Sequence, residues 1–339
     1  MTIETEPTSV EIQPSESILQ PSPEPQSLPS RHRRRSNPIA LKAVFVLAVF
    51  VLGLGSGYLI GRNVGSAAAS TTASQGENKT AAMIHQINPP EGYTIPATFG
   101  TVGPQMLTAG AIDQNQFVQV YKQAGKPLTD EQMEILTKGS NSQIVINQSN
   151  AYFLLNFFWA LGLTNENPVL TEGPMMAKGK DQVGNFASTG GWTIGTKPPT
   201  ELYASTMIMS LTEEQQDRLL DVASAVYRPC CNNPTHFPDC NHGMAMLGLL
   251  ELMASQDATA DDMFTAAKYV TAFWYPQQML EVATAFKVTQ NVDFAQADAR
   301  QVVSSKYSSG TGFQTIHQWL ASKGLLEQAP SSGGSCGVQ

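Results

Sequence analysis

The chain has 339 residues, of which 42% are hydrophobic and only 14% are charged, against roughly 25% charged residues in typical soluble domains. This composition excludes a wholly disordered protein, and the shortage of charged residues indicates that part of the chain lies in an apolar environment rather than in water. Residues 63–339 carry 23 acidic and 14 basic residues. Because this main body is acidic, nucleic-acid binding is excluded as its function.

The first 38 residues have the composition of a disordered tail. They are rich in Pro, Ser, Glu and Gln, and such a segment buries too little apolar surface to offset the entropy of ordering. A basic run, Arg31-His32-Arg33-Arg34-Arg35, follows the proline-rich part. Residues 1–38 are therefore predicted to be a disordered tail.

An apolar run predicts a single transmembrane helix over residues 39–62. Ala43–Gly61 is a stretch of 19 uncharged residues, flanked by Lys42 and Arg62, and about 20 apolar residues span a bilayer as a helix. The basic run before it predicts a cytoplasmic N-terminus and an extracytoplasmic main domain at the cell membrane. A cleaved signal peptide is the alternative, because Ala67-Ala68-Ala69 offers small residues to a peptidase.

Small residues recur on one face of the predicted span. Gly53, Gly57 and Gly61 are four residues apart, a spacing that lets two membrane helices approach closely. This pattern predicts a homodimer formed through the span. The alternative is that glycine is simply frequent in membrane helices.

The rest of the chain is predicted to hold a flexible linker, one folded domain and a tail. Residues 63–90 have the Ser, Ala, Thr and Gly composition of a spacer, and residues 328–339 are rich in Ser and Gly. Residues 91–327 are predicted to form one mainly helical domain. Within it, the Gly- and Pro-rich stretch Asn165–Thr200 is expected to be a long loop that is either functional or wrapped over the body.

Helix-start signals and helical periodicity dominate the predicted domain. Thr129 and Thr212 are each followed three residues later by Gln, which is a capping box. Pro276 is expected to kink a helix or to begin a new one. The best strand candidate is Gln143–Ile146. Further helices are predicted over Asn115–Ala124, Ser149–Leu163, Asn241–Ser255, Thr259–Tyr275, Pro276–Phe286, Ala295–Ser304 and Gly312–Ser322.

One cluster of cysteines and histidines offers candidate metal ligands. Cys230, Cys231, His236, Cys240 and His242 fall within 13 residues. Thiolates and neutral imidazoles are the ligands of zinc and copper, so these five residues are the predicted ligands of a metal ion, Zn or Cu. The spacing differs from that of a zinc finger, whose ligands come in two separated pairs.

The cluster is expected to end at the start of a helix. Asp239 or Asn241 is predicted to cap it, which places Cys240 where the helix dipole favours a thiolate. Two other states of the cysteines stay open. One is a structural disulfide from Cys230 or Cys231 to Cys240 or Cys336, and the other is a redox-active thiol pair.

The leading functional hypothesis is a membrane-anchored extracytoplasmic protein with a Cys/His metal site, for copper handling or structural zinc. The alternatives are a thiol-disulfide oxidoreductase and a structural module stapled by disulfides. No nucleophile motif, phosphate-binding loop or dinucleotide fingerprint occurs in the sequence, so no catalytic residue is assigned. The sequence alone does not decide whether the protein is an enzyme.

Overall fold

A computed structural model describes residues 80–327 of the chain, and this part is mainly helical, as predicted. The predicted tail 1–38, the predicted span 39–62 with its glycine face, and the tail 328–339 with Cys336 lie outside the described residues. Within residues 80–327, every helix is too short or too polar to cross a membrane.

The folded body begins before residue 91. Residues 80–87 are helical, and Ile87 is fully buried while Met83 and Ile84 pack against the same apolar cluster. The end of the segment predicted as linker 63–90 is therefore part of the helical body. Its apolar side chains, spaced as on one helix face, explain why it docks rather than staying extended.

The first part of the body is a two-stranded antiparallel sheet with helices between its strands. Strand β1 (Tyr93–Gly100) pairs with β2 (Ser140–Ile146), with Ile95 opposite Ile144. The strand predicted over Gln143–Ile146 is confirmed as the C-terminal part of β2. Three helices connect the strands: α1 (Val102–Ala109), α2 (Gln114–Gln123) and α3 (Asp130–Thr137).

Six longer helices form the remainder of the core. They are α4 (Ala151–Thr164), α5 (Glu213–Ala225), α6 (Asn241–Ser255), α7 (Ala260–Trp274), α8 (Pro276–Gln290) and α9 (Gly310–Lys323). Pro276 occupies the first turn of α8, where its missing N–H costs nothing. It therefore begins a new helix, one of the two outcomes expected from the sequence.

Helices α4 and α6 form the centre of the body and approach unusually closely. Every residue of α4 except Tyr152 is buried. At the crossing Gly162 faces the carbonyl of Met244, and Gly248 faces the carbonyl of Phe158, so closely that a Cβ on either glycine would overlap the other backbone. The absence of side chains at these two positions sets the distance between the helices.

The long Gly- and Pro-rich segment is wrapped over this centre. Trp192 is buried against Trp159, with ring centroids 5.0 Å apart, and its Nε1 donates to the Ala111 carbonyl at 2.7 Å. The segment contains short helices at Pro168–Thr171, Ala187–Gly190 and Pro199–Leu202, and 3-10 turns at Pro174–Lys178 and Lys180–Asn185.

The helix predicted over Ala295–Ser304 is wrong in its first part. The structure has only short helices at Ala299–Val302 and Ser305–Ser308. The buried Lys268 donates to the carbonyls of Phe294, Ala295 and Ala297. These bonds hold residues 294–297 in a turn rather than a helix, and Asp298 caps the short helix that follows.

Both predicted capping boxes are present and give a first testable prediction. The Thr212 side chain accepts from the backbone N–H of Gln215 at 3.3 Å, and Gln215 Oε1 accepts from the N–H of Thr212 at 2.9 Å. Thr212→Ala should lower the free energy of unfolding by about 1 kcal/mol, measured by denaturant titration. Thr212→Ser, which keeps the hydroxyl, should stay within about 0.5 kcal/mol of the parent. Equal losses in both variants would contradict the role of the cap.

Candidate metal centre

Two of the three cysteines come from the loop after α5, and the third directly precedes the first residue of α6. Cys230 and Cys231 follow Pro229 in the loop, and Cys240 is itself the N-cap of α6, its sulfur accepting from the N–H of Gly243 at 3.4 Å. Helix α6 begins at Asn241, as predicted. The expectation that Asp239 or Asn241 caps it is wrong, because the Cys240 sulfur takes that position.

The three sulfur atoms converge on one point. All lie within 4.8 Å of one another, and the sulfurs of Cys230 and Cys240 are 3.5 Å apart. Sulfurs bound about 2.3 Å from a shared metal ion lie about 4 Å from each other. The Cys230–Cys231–Cys240 cluster, called the thiol cluster below, could therefore hold a metal ion. In the structure all three cysteines are free thiols, and Cys230 is exposed.

A buried arginine organises the loop that carries the cluster. Arg228 is only 3% exposed, and its Nε donates to the Cys240 sulfur at 3.1 Å. Its terminal nitrogens donate to the carbonyls of Asn233 and Phe237 and to the Asp239 carboxylate, the last at 2.6 Å. Since one guanidinium bonds to the middle and the end of the loop and to a sulfur, it fixes the loop and neutralises charge beside the cluster.

The space for this guanidinium is provided by a glycine. A Cβ at Gly243 would overlap the Arg228 guanidinium, so only glycine lets the arginine lie against the first turn of α6. The same turn supplies the N–H that bonds to Cys240. The helix start and the arginine therefore act on the same sulfur.

The environment shifts the pKa values of the three thiols in opposite directions. Hydrogen bonds from Cys230 and Cys231 lower the pKa of Cys240, and the charge of Arg228 lowers it further. Although Cys230 as a residue is exposed, its thiol group is enclosed. The pKa of Cys230 is raised, first by its hydrogen bonds with Cys231 and Cys240 and then by this burial of the thiol. For Cys231, the hydrogen bond with Cys230 lowers the pKa, but the one with Cys240 and burial outweigh it and raise the pKa to about 11.

A tyrosine at the junction of α7 and α8 completes the surroundings. Tyr275 is 8% exposed, and its hydroxyl is buried beside Cys230 and Cys240. Burial raises its pKa well above the usual value, and the neighbouring Cys230 and Cys240 raise it further. The hydroxyl thus stays protonated beside the cluster.

The two predicted histidine ligands lie outside the group of converging sulfurs. His242 is buried, its Nδ1 lies 2.9 Å from Asn241 Oδ1, and its ring contacts Tyr275 at a centroid distance of 4.6 Å. Burial lowers the pKa of His242 to about 4, so the ring is neutral at neutral pH. The His236 backbone N–H donates to the Ala223 carbonyl at the end of α5.

Further hydrogen bonds attach the cysteine loop to α5 and α9. The N–H of Thr235 donates to the Val226 carbonyl at 2.8 Å, and the Cys231 carbonyl accepts from the N–H of Gly310 at 2.7 Å. Asn232 Oδ1 accepts from the N–H and the hydroxyl of Thr311. The loop is therefore held by the helices on both sides of it.

Arg228 and Tyr275 were not predicted from the sequence. Arg228 directly precedes Pro229-Cys230, and an arginine beside a cysteine is a usable signal for a lowered thiol pKa. Tyr275 precedes Pro276 and lies 35 residues beyond Cys240, so only the fold reveals its position.

Comparison of the chain with protein-family models, with curated proteins and with solved structures finds no match.

Proposed function

We propose that the protein is a membrane-anchored, extracytoplasmic metal-binding protein whose site is the thiol cluster. The observation that carries the metal site is the convergence of three sulfurs, contributed by a loop and a helix N-terminus, within 4.8 Å of one another. The apolar run Ala43–Gly61 behind a basic segment supports the anchor and the orientation.

The charges around the cluster support its role in binding a cation through thiolates. Metal-bound cysteines are deprotonated, and several thiolates at one point repel each other unless positive charge lies nearby. Arg228 supplies such a charge from a buried position, with Nε 3.1 Å from the Cys240 sulfur. One thiolate is favoured before any ion arrives, and an incoming cation displaces the protons of the other two thiols.

The donor set favours soft metals, in keeping with copper handling or structural zinc. Thiolates select Cu(I) and Zn among the common first-row ions. Because Cys230 is exposed, an ion at the cluster can exchange with solvent or with another protein's ligands. Structural zinc needs a fourth ligand, for which His236 and His242 are the candidates from the sequence.

A thiol-disulfide oxidoreductase is the second candidate. The 3.5 Å distance between the sulfurs of Cys230 and Cys240 and the lowered pKa of Cys240 are features of a reactive pair. Such a protein would form a Cys230–Cys240 disulfide in turnover and would not retain metal through purification. Counting free thiols before and after chelator treatment separates the two functions.

Elemental analysis tests the proposal. The full-length chain, purified in detergent without chelator under reducing conditions, should hold close to one equivalent of Zn or Cu. Cys240→Ala should remove most of the metal, because it deletes one sulfur of the converging three. Cys336→Ala, outside the cluster, is the matched control and should keep it. A protein that takes up neither Zn²⁺, Cu⁺ nor Cu²⁺ would end the proposal and leave the disulfide alternatives.

A further inference from the structure

The small sheet has an open edge in the part of the chain that the structure describes. Within residues 80–327, β2 pairs with β1 and with no other strand, and Asn141, Ser142 and Gln143 are exposed. Native proteins usually blunt such an edge with a charged residue, a proline or a covering element. The stretch Ser140–Gln143 contains neither a charged residue nor a proline.

The backbone of Gln143 directs its N–H and its C=O away from β1. Gln143 lies opposite Thr98 in the sheet, and the N–H and C=O of Thr98 are both bonded to the side-chain amide of Gln256, each at 2.9 Å. Opposite residues of an antiparallel pair either exchange both hydrogen bonds or both face outward. Since Thr98 faces outward to Gln256, Gln143 faces outward on the other edge.

The contact with Gln256 shows which kind of group fits an edge of this sheet. Its Nε2 donates to the Thr98 carbonyl while its Oε1 accepts from the Thr98 N–H, so one amide satisfies both backbone groups. A residue of an extended chain offers the same combination of one donor and one acceptor. The outer edge of β1 is therefore capped from within the chain, and Gln143 presents the equivalent pair of groups on β2.

A cleft of about 410 Å³ lies beside this edge of β2. The Val145 carbonyl, two residues along and facing the same way as Gln143, accepts from Asn150 Nδ2 at 2.7 Å. Because all three residues line the cleft, it lies on the outward side of the strand. The buried side chains of Ile135 and Phe153 add apolar surface. The volume falls in the range of about 300–1,000 Å³ that is usual for ligand sites.

We propose that this cleft binds an extended, uncharged peptide segment of a partner protein, which adds to β2 as a third strand and exchanges two backbone hydrogen bonds with Gln143. Addition of a strand to a free edge is a general mode of peptide recognition. The two charged side chains that line the cleft, Lys126 and Glu131, have opposite signs, so the lining matches a segment without net charge. This interaction surface is independent of the thiol cluster.

The register predicts where the peptide carries apolar side chains. Ile144, next to Gln143, is fully buried on the core face of the sheet. In an added strand, the residues on either side of the one opposite Gln143 direct their side chains to that same face. Apolar side chains are therefore expected at these two positions, which are two residues apart, with small polar residues between and around them.

The test uses the full-length chain in detergent and a pool of labelled heptapeptides, blocked at both ends. Their pattern is Thr-Thr-x-Thr-x-Thr-Thr, where x is Val, Ile, Leu, Phe or Tyr, and binding is followed by fluorescence anisotropy. For the tightest peptide, N-methylation of the central Thr should weaken binding about 10-fold, which corresponds to the loss of one hydrogen bond of about 1.4 kcal/mol.

A matched pair of variants tests the protein side of the contact. Gln143→Pro removes the N–H that faces the peptide and should weaken binding about 10-fold. A proline is tolerated at an edge position whose N–H faces outward, so the thermal unfolding followed by circular dichroism should stay cooperative. Gln143→Ala keeps the backbone groups and should bind the peptide with the parent's affinity.

Hydrogen exchange of the parent chain adds a measurement that needs no variant. The Gln143 amide should exchange rapidly in the free chain and slowly with peptide bound, whereas the Ile144 amide, which faces β1, should be slow in both states. A Gln143 amide already protected in the free chain would mean that another part of the chain covers the edge, and would overturn the inference.

Three other results would also overturn it. They are the absence of binding by every peptide of the pool, equal affinity of the N-methylated and parent peptides, and equal affinity of Gln143→Pro and Gln143→Ala. Displacement of the peptide by a neutral sugar, maltohexaose, that binds more tightly would assign the cleft to saccharides instead. Metal binding at the thiol cluster would be unaffected by each of these outcomes.

Discussion

Gly248→Ala is expected to destabilise the helical body by about 3 kcal/mol or more, at the upper end of what overpacking usually costs. A methyl group there would overlap the backbone carbonyl of Phe158 and the backbone of Gly162 on α4. Both partners are main-chain atoms of a buried helix, so no side chain can rotate away. The two helices would have to separate, and the apolar contacts along α4 and α6 would be lost together.

Denaturant unfolding of the full-length chain measures this effect. Gly162→Ala, on the other side of the same crossing, should be equally damaging. Gly310→Ala is the matched control, because the nearest atoms to a Cβ there, Cys231 O and Asn232 Oδ1, are 3.4 Å away. It should stay within about 0.5 kcal/mol of the parent. If Gly248→Ala were as stable as this control, close packing of α4 and α6 would not be what holds the body together.

Arg228→Met is expected to lower the free energy of unfolding by about 3–5 kcal/mol, the usual cost of breaking a buried ion pair from one side. The change leaves the Asp239 carboxylate without its cation and removes one donor from each of the carbonyls of Asn233 and Phe237. It also removes the charge beside Cys240. The pKa of Cys240 should therefore rise, and metal should bind more weakly at neutral pH.

Two measurements on the reduced, metal-free chain check this prediction: denaturant unfolding and titration of the thiolate absorbance in the ultraviolet. Lys138→Met removes one positive charge from an exposed ion pair with Glu134 and should cost less than about 1 kcal/mol. It should also leave the thiolate titration unchanged. Equal stability of the two variants, or an unmoved Cys240 titration in Arg228→Met, would contradict the role assigned to the buried guanidinium.

Elements with a local signal were predictable from the sequence. The capping boxes at Thr129 and Thr212 begin helices where expected, because caps depend on residues only three positions apart. Helix α1 was missed because Gly103-Pro104 in its first turn resembles a turn, although proline is compatible with a helix start. Strand β1 was missed because Pro96 lies inside it, and the pairing is irregular just there, between Ile95 and Thr98.

In the candidate site, too, only the residues with a short-range sequence signal could be predicted. The short spacing of Cys230, Cys231 and Cys240 indicated that their sulfurs would meet, and the structure brings them together. Spacing did not place His242, because its ring packs against the aromatic rings of Trp274 and Tyr275, which are distant in sequence. Nor could it indicate Tyr275, which reaches the cluster only through the packing of the α7–α8 junction against α6.

Because the cysteine loop is hydrogen-bonded to α9, the stability of the loop is coupled to the stability of a helix that is distant in sequence. The backbone N–H groups of Gly310 and Thr311 donate hydrogen bonds to Cys231 O and Asn232 Oδ1, nearly eighty residues away in sequence. If binding of an ion stabilises the loop, it must therefore also suppress local opening of the first turn of α9. By the same linkage, fraying of that turn must lower the affinity for the ion by the same factor. Exchange of these two backbone hydrogens with solvent deuterium reports occupancy of the thiol cluster from outside it.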